Sequence, residues 1–252
     1  MENKSFAQVI GSPDAPSLDQ LARRCGIATT FHAEGRPSLP NYLALTSGST
    51  QGIADDGPPA AHPLPVPSIF SQLGTRWRAL TESMPSNCAL ADAGLYAVRH
   101  NPVTYYTDVR RVCLQRNQPL GRTPDLSSRF TLITPNLCHD MHACPTTGDD
   151  IGAQVRAGDS WLAGFLPGLL RSPQYASGSA AIFIVWDEPD TTASDSTPVP
   201  FIVVSPATRP GTRVRAAFDD YSLLRTTEDL LGLPAHLGNA ARAHSLRRAF
   251  RL

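Results

Sequence analysis

Ala180-Ala-Ile-Phe-Ile-Val-Trp186 is an unbroken apolar run that ends directly in Asp187-Glu188. Its length and its aromatic and β-branched content read as a strand buried on both faces. Phe201-Ile-Val-Val-Ser205, stopped by Pro206, reads as a second strand of the same kind, and Thr191 to Thr197 as a polar loop between them. Further out, Gly26 to Phe31, Val103 to Val109 and Arg129 to Thr134 have strand character. Helical patterns occupy Ser17 to Arg24 (capped by Ser17), Ala89 to Arg99 (halted before Pro102), Asp150 to Leu170, Tyr221 to Leu231 and a basic stretch near Ala240 to Phe250. Ile69 to Leu80, with Trp77, reads as partly helical. Strands alternating with helices predict an α/β fold, its sheet largely parallel and covered by helices on both faces. At 252 residues the chain fits one domain, residues 1–252.

Lys+Arg and Asp+Glu balance at 22 each, so no global field favours nucleic acid. No apolar run approaches the ~20 residues of a membrane helix, so stable membrane insertion is not expected. Of five cysteines, Cys138 and Cys144 can close a small loop, Cys88 can pair with Cys113, and Cys25 is left over. That pattern suits an exported protein, although the chain opens Met-Glu-Asn-Lys, with no apolar leader.

Arg36-Pro-Ser-Leu-Pro-Asn-Tyr-Leu-Ala-Leu-Thr-Ser-Gly48 places a serine two residues ahead of a first-turn proline and ends in a terminating glycine. Ser38 would then lie beside unpaired backbone N–H groups at a positive helix end, where a phosphate is welcome; the same pattern is also that of an ordinary capped helix. Ser49 to Pro67 reads as a Gly/Pro-rich loop without assigned chemistry. Asp187 and Glu188 stand at the carboxyl end of a buried strand, where ligands collect in α/β sheets. With Glu2, Asn3 and the Ser38 hydroxyl they would make an oxygen-rich site for one divalent ion. His100 and His142 are candidates for holding phosphate oxygens or protonating a leaving group, and Arg36 for pairing with a phosphate oxygen. The Cys138–Cys144 stretch matches no standard zinc spacing and reads better as a disulfide loop.

Met1-Glu-Asn-Lys-Ser-Phe6, Pro37 to Gly48, Glu82-Ser-Met-Pro85, Arg99-His-Asn-Pro102, Ile133 to Cys138, Asp140-Met-His142, Gly158 to Leu162, Trp186-Asp-Glu188, Val203 to Pro206 and Ser222 to Thr226 occur in that order. The succession resembles the bacterial phosphoesterase family of acid phosphatases and phospholipases C, within the alkaline phosphatase superfamily. It implies a three-layer α/β/α sandwich with a mostly parallel central sheet. It also implies hydrolysis of a small phosphate ester or phospholipid headgroup through a phosphoserine intermediate. By motif match Ser38 would be the nucleophile and Asn41 would hydrogen-bond the phosphate. His100 and His142 would line the pocket, and Glu2, Asn3, Ser38, Asp187 and Glu188 would take the metal positions; Asp140 is a weaker match.

The resemblance further implies a secreted or periplasmic location. Family members carry a hydrophobic strand ahead of the Glu-Asn pair, whereas here one residue precedes Glu2; the sheet is therefore expected to lack its first strand, with Glu2 and Asn3 poorly anchored. Asp220 and Arg36 stand where the family commonly has histidines. Two alternatives are a Ser-His-Asp acyl hydrolase, for which Ser38 lacks the Gly-x-Ser-x-Gly elbow, and a degenerate, non-catalytic phosphate-binding protein.

Overall fold

The computed structural model describes residues 1–252. Its strands are β1 (Gly26–His32), β2 (Trp77–Thr81), β3 (Asn117–Pro119), β4 (Phe130–Thr134), β5 (Ile182–Val185), β6 (Val199–Val204), β7 (Thr212–Val214) and β8 (Phe218–Asp219). The first five helices are α1 (Phe6–Val9), α2 (Pro16–Arg24), α3 (Ser38–Ser47), α4 (Ile69–Leu73) and α5 (Arg110–Arg116). They are followed by α6 (Ile151–Leu170), α7 (Pro173–Ala176), α8 (Asp220–Leu231) and α9 (Arg247–Phe250). The chain divides into two compact units: Met1–Ala33 with Leu137–Asp219 and Leu246–Leu252, and Glu34–Asn136 with Asp220–Ser245.

The first unit is built on a sheet ordered β5-β6-β1-β7, with β8 also pairing with β1. The sheet is mixed rather than largely parallel: β1 and β5 run antiparallel to β6, while β7 and β8 run parallel to β1. β5, expected to be buried on both faces, is an edge strand in which only Ile184 is buried. Every residue of β6 is buried, as its unbroken apolar sequence requires of a strand flanked on both sides. Phe31 and Phe201 stack across the β1–β6 pair with ring centroids 4.4 Å apart. Gly26 is needed where β1 begins: a Cβ there would lie 2.7 Å from the Phe250 ring, which α9 lays against it. The expected Ser17 cap of α2 is replaced by a tertiary one. Asp159 of α6 accepts from the Ser17 and Leu18 N–H groups at 3.1 and 2.7 Å, because Pro16 occupies the first helical position and shifts the start upstream. Asp150 caps α6 itself through the Ala153 N–H, 3.0 Å away.

The second unit holds a parallel sheet, β3-β2-β4. α3 is buried at nine of its ten positions, and Leu39 and Leu43 enter an apolar cluster with Phe70, Trp77, Val103, Tyr105, Tyr106 and Leu224. A helix buried all round has few polar positions to spare, and Thr46 satisfies its hydroxyl on the Tyr42 carbonyl and the Tyr106 hydroxyl. The helix ends at Gly48 with φ 74°, where a Cβ would sit 2.1 Å from the Leu237 carbonyl oxygen.

Ile69 to Leu80 is helical only in part, as its sequence suggests: α4 covers Ile69–Leu73, Gly74 (φ 63°) ends it, and Trp77 begins β2. Several sequence expectations are corrected in this unit. Ala89 to Arg99 is irregular; the Ala93–Tyr96 bridge and the Asp92 carboxylate, accepting from Val98 N–H at 2.7 Å, hold a turn in place of a helix. Val103 to Val109 is not a strand: Pro102–Tyr105 forms a 3-10 turn that buries Val103 and Tyr105 as core. The C-terminal stretch is not one helix but a 3-10 turn at Gly238–Ala241 and, in the first unit, the short α9. Both expected disulfides, Cys88–Cys113 and Cys138–Cys144, are formed, and Cys25 is free.

Candidate metal centre and candidate nucleophile

The residues singled out in the sequence fall into two groups, one in each unit. In the first, β5 delivers the chain through buried Trp186 to Asp187 and Glu188, which are buried themselves. The Met1 backbone pairs alongside: its nitrogen donates to the Val185 carbonyl at 3.0 Å, and its carbonyl accepts from Asp187 N–H at 3.1 Å. Glu2 N–H donates to the Asp140 carbonyl at 2.7 Å and Asn3 N–H to Asp187 Oδ1 at 3.0 Å. Glu2 and Asn3, expected to be poorly anchored, are thus held through their backbone. The end of the Asn3 amide lies 3.1 Å from Glu188 Oε1 and 3.3 Å from Asp187 Oδ1 when its nitrogen faces them.

Asp140 completes this group. Its carboxylate lies within 4.8 Å of that of Glu2, and its Oδ1 accepts from His142 N–H at 2.8 Å. The Cys138–Cys144 bridge closes the loop that carries both. Burial, then the charges of Asp187 and Asp140, push the Glu2 carboxyl well above the usual carboxylate range. Burial pushes Asp140 up to about 7. His142 is half-buried, with Nδ1 2.9 Å from the Ala143 carbonyl.

These donors fit a hard or borderline divalent ion. They are buried, mutually repelling carboxylates with the half-buried Asn3 amide beside them, and Asp187 Oδ2 is buried without a hydrogen-bond partner.

In the second unit Ser38 is buried at the first position of α3. His100, also buried, stacks on Tyr42 one turn further along, with centroids 5.4 Å apart and the planes 12° from parallel. Two expectations change here. Asn41 has no capacity left for a phosphate: its Oδ1 accepts from the Glu34 and Gly35 N–H groups at 2.9 and 3.1 Å. Its Nδ2 donates to the Gly35 and Pro37 carbonyls at 2.9 and 3.3 Å. Asn41 therefore holds the loop that presents Ser38. The helix end is not wholly open either, because Asp56 Oδ1 accepts from Leu39 N–H at 2.9 Å, with Arg99 Nε 3.6 Å from its other oxygen. Asp56 lies in the Gly/Pro-rich loop, where nothing in the local sequence marks a helix cap seventeen residues distant.

The chain shares its fold with solved proteins of the alkaline phosphatase superfamily. The chain superposes on a crystal structure of a protein in that superfamily from Vibrio parahaemolyticus with a TM-score of 0.62 at 13% identity, covering 99% of this chain and 70% of that one. The Phosphoesterase family profile matches residues 1–234, and the chain belongs to that family, a hydrolase by class. It is similar to a phosphatidylinositol-3-phosphatase of Mycobacterium tuberculosis, 28% identical over 242 residues, which cover 92% of this chain and 75% of that protein. It is also similar to the phosphate-repressible acid phosphatase of Penicillium chrysogenum, 24% identical over 241 residues, covering 87% of this chain and 55% of that one. It thus spans about half the length of the fungal relative.

Proposed function

We propose that the chain hydrolyses phosphate monoesters through a phosphoserine intermediate, with one divalent ion as cofactor. The observation that carries this is the set of buried, mutually repelling carboxylates at Glu2, Asp187 and Glu188, with the half-buried Asn3 amide beside them and Asp187 Oδ2 left without a partner. Those residues would hold the ion, which when bound neutralises phosphate charge and favours a deprotonated serine. Ser38 Oγ attacks phosphorus; the Oγ–P bond forms as the bond from phosphorus to the ester oxygen breaks, and the leaving oxygen takes a proton. Water then cleaves the phosphoserine, releasing phosphate and restoring Ser38. His100 and His142 are the groups proposed to hold phosphate oxygens or supply that proton. Asn41 keeps the Glu34–Pro37 loop in place, so its contribution is to position Ser38.

The names of both relatives favour a monoester, and the first favours a phosphorylated headgroup carried on a lipid. Diester cleavage of phospholipase C type is the extension to test. The two disulfides support an exported protein. The deciding experiment is turnover of an aryl phosphate and of phosphatidylinositol 3-phosphate, with and without chelator. Chelator is expected to abolish both activities and Mn2+ or Zn2+ to restore them. Full turnover in chelator, or cleavage of an acyl ester with none of a phosphate ester, would reject the reading.

A further inference from the structure

Lys4 is the one lysine or arginine among the buried residues, 2% exposed. Its Nζ donates to the Asn3 carbonyl at 3.0 Å and to the Met141 carbonyl at 2.8 Å. Both acceptors belong to non-glycine residues in the left-handed region, Asn3 at φ 47° and Met141 at φ 82°. Such conformations persist only where their surroundings over-determine them, and for a methionine nothing local favours one. Each of these residues adjoins the candidate site: Glu2 precedes Asn3, and Asp140 precedes Met141, which His142 follows. One ammonium therefore ties the backbone of both ligand-bearing segments. The Met141 side chain packs against α6 at Gly158, where a Cβ would come within 2.4 Å of Met141 Cγ.

We propose that Lys4 is a positioning residue: by bridging the Asn3 and Met141 carbonyls it fixes the spacing of the Glu2–Asn3 and Asp140–His142 segments and so sets the affinity for the divalent ion. The inference rests on the metal-centre reading above. Its sign distinguishes it from a purely electrostatic role. An ammonium that acted only through its charge would repel a cation, and its removal would tighten binding; removing a clamp loosens it.

The test is calorimetric titration of the metal-free full-length chain with Mn2+, with Zn2+ and Ca2+ run in parallel, on wild type, Lys4→Met and Gly158→Ala. Lys4→Met is expected to weaken binding about ten- to a hundred-fold, the range seen when groups behind metal ligands are removed, while a saturating ion restores most of kcat. Equal or tighter binding by Lys4→Met overturns the clamp. Should Lys4→Met not fold, Gly158→Ala decides. Its added methyl displaces Met141 with Lys4 untouched, so weaker binding supports the clamp and unchanged binding overturns it. A wild-type chain that takes up none of the three ions overturns the metal centre itself, and the clamp with it.

Discussion

In the first unit the candidate ligands ride on irregular backbone and face one another as buried carboxylates; in the second, the candidate nucleophile begins a helix whose polar groups are nearly all answered. Asp187 Oδ2 is left without a partner and Glu2 is driven toward its neutral form by burial and by Asp187 and Asp140. By contrast Asn41 makes four hydrogen bonds and Thr46 two, and Asp56 accepts from the helix end. The contrast shows where an external group is required. A buried like-charged cluster is costly until a cation or protons arrive, whereas a satisfied helix end is stable as it stands.

That contrast breaks most visibly at Ser38. Ser38→Ala removes the attacking oxygen but no member of the carboxylate cluster, so aryl phosphate turnover is expected to fall by about 10^3-fold or more while Mn2+ affinity changes less than about threefold. Substantial residual turnover would remove the serine from the mechanism. A large loss of Mn2+ affinity with the fold intact would instead make its hydroxyl a strong ligand and erase the distinction drawn between the units.

Next in size is the Cys88–Cys113 bridge, which joins residues 25 apart within the apolar cluster of the second unit. Replacing both cysteines by serine should lower stability by about 3 kcal/mol, mainly by freeing the unfolded chain. Denaturant unfolding measures it, and the expectation is that metal affinity in the first unit is unchanged in the folded protein. A loss well under 1 kcal/mol would mean that packing alone secures this segment.

Asp187→Asn sharpens the comparison from the other side. The amide oxygen can still accept from Asn3 N–H, but one of the repelling charges is gone. In chelator the variant should be more stable than wild type by about 1 kcal/mol; in excess Mn2+ it should be less stable, because it binds the ion more weakly. Thermal melts in the two conditions check this. The same order of stability in both would contradict the idea that these carboxylates await a cation.

The sequence made the strands around Asp187 legible because β5 and β6 are continuous apolar runs, and α6 and α8 legible because their periodicity is clean. Val103 to Val109 misled, and Ile69 to Leu80 was legible as a helix only as far as Leu73, for a shared reason. Their aromatic and branched residues are core, but the backbone around them is set by Gly74, by Pro102 and by distant hydrogen bonds. At the site, the motif match grouped Glu2, Asn3, Asp187 and Glu188, and Asn3 does lie beside Asp187 and Glu188. The roles of Lys4, Asp56 and Asn41 depend on which carbonyl or N–H lies within reach, and no local pattern encodes that. A lysine after Glu2-Asn3 reads as a solvated charge until its burial is known.

An effect of comparable size belongs to Glu228 in α8, a carboxylate in the otherwise satisfied second unit. It is fully buried, and its Oε1 accepts from Leu237 N–H at 2.9 Å while Oε2 has no partner. Burial raises its pKa from 4.5 to about 6. A carboxyl raised on folding contributes stability that is fully present below its unfolded pKa and is lost as the pH climbs through the folded one. The window therefore runs from about pH 4.5 to about 6, beyond which the buried charge costs the fold about 1–2 kcal/mol. Glu228→Gln retains the acceptor for Leu237 and cannot ionise. It should match wild type near pH 4.5 and exceed it by about 1 kcal/mol at pH 8, as read from urea unfolding in chelator at both values. A difference that does not depend on pH would mean that Glu228 stays neutral, or is already satisfied when charged. The second unit would then carry no counterpart to the electrostatic strain of the first.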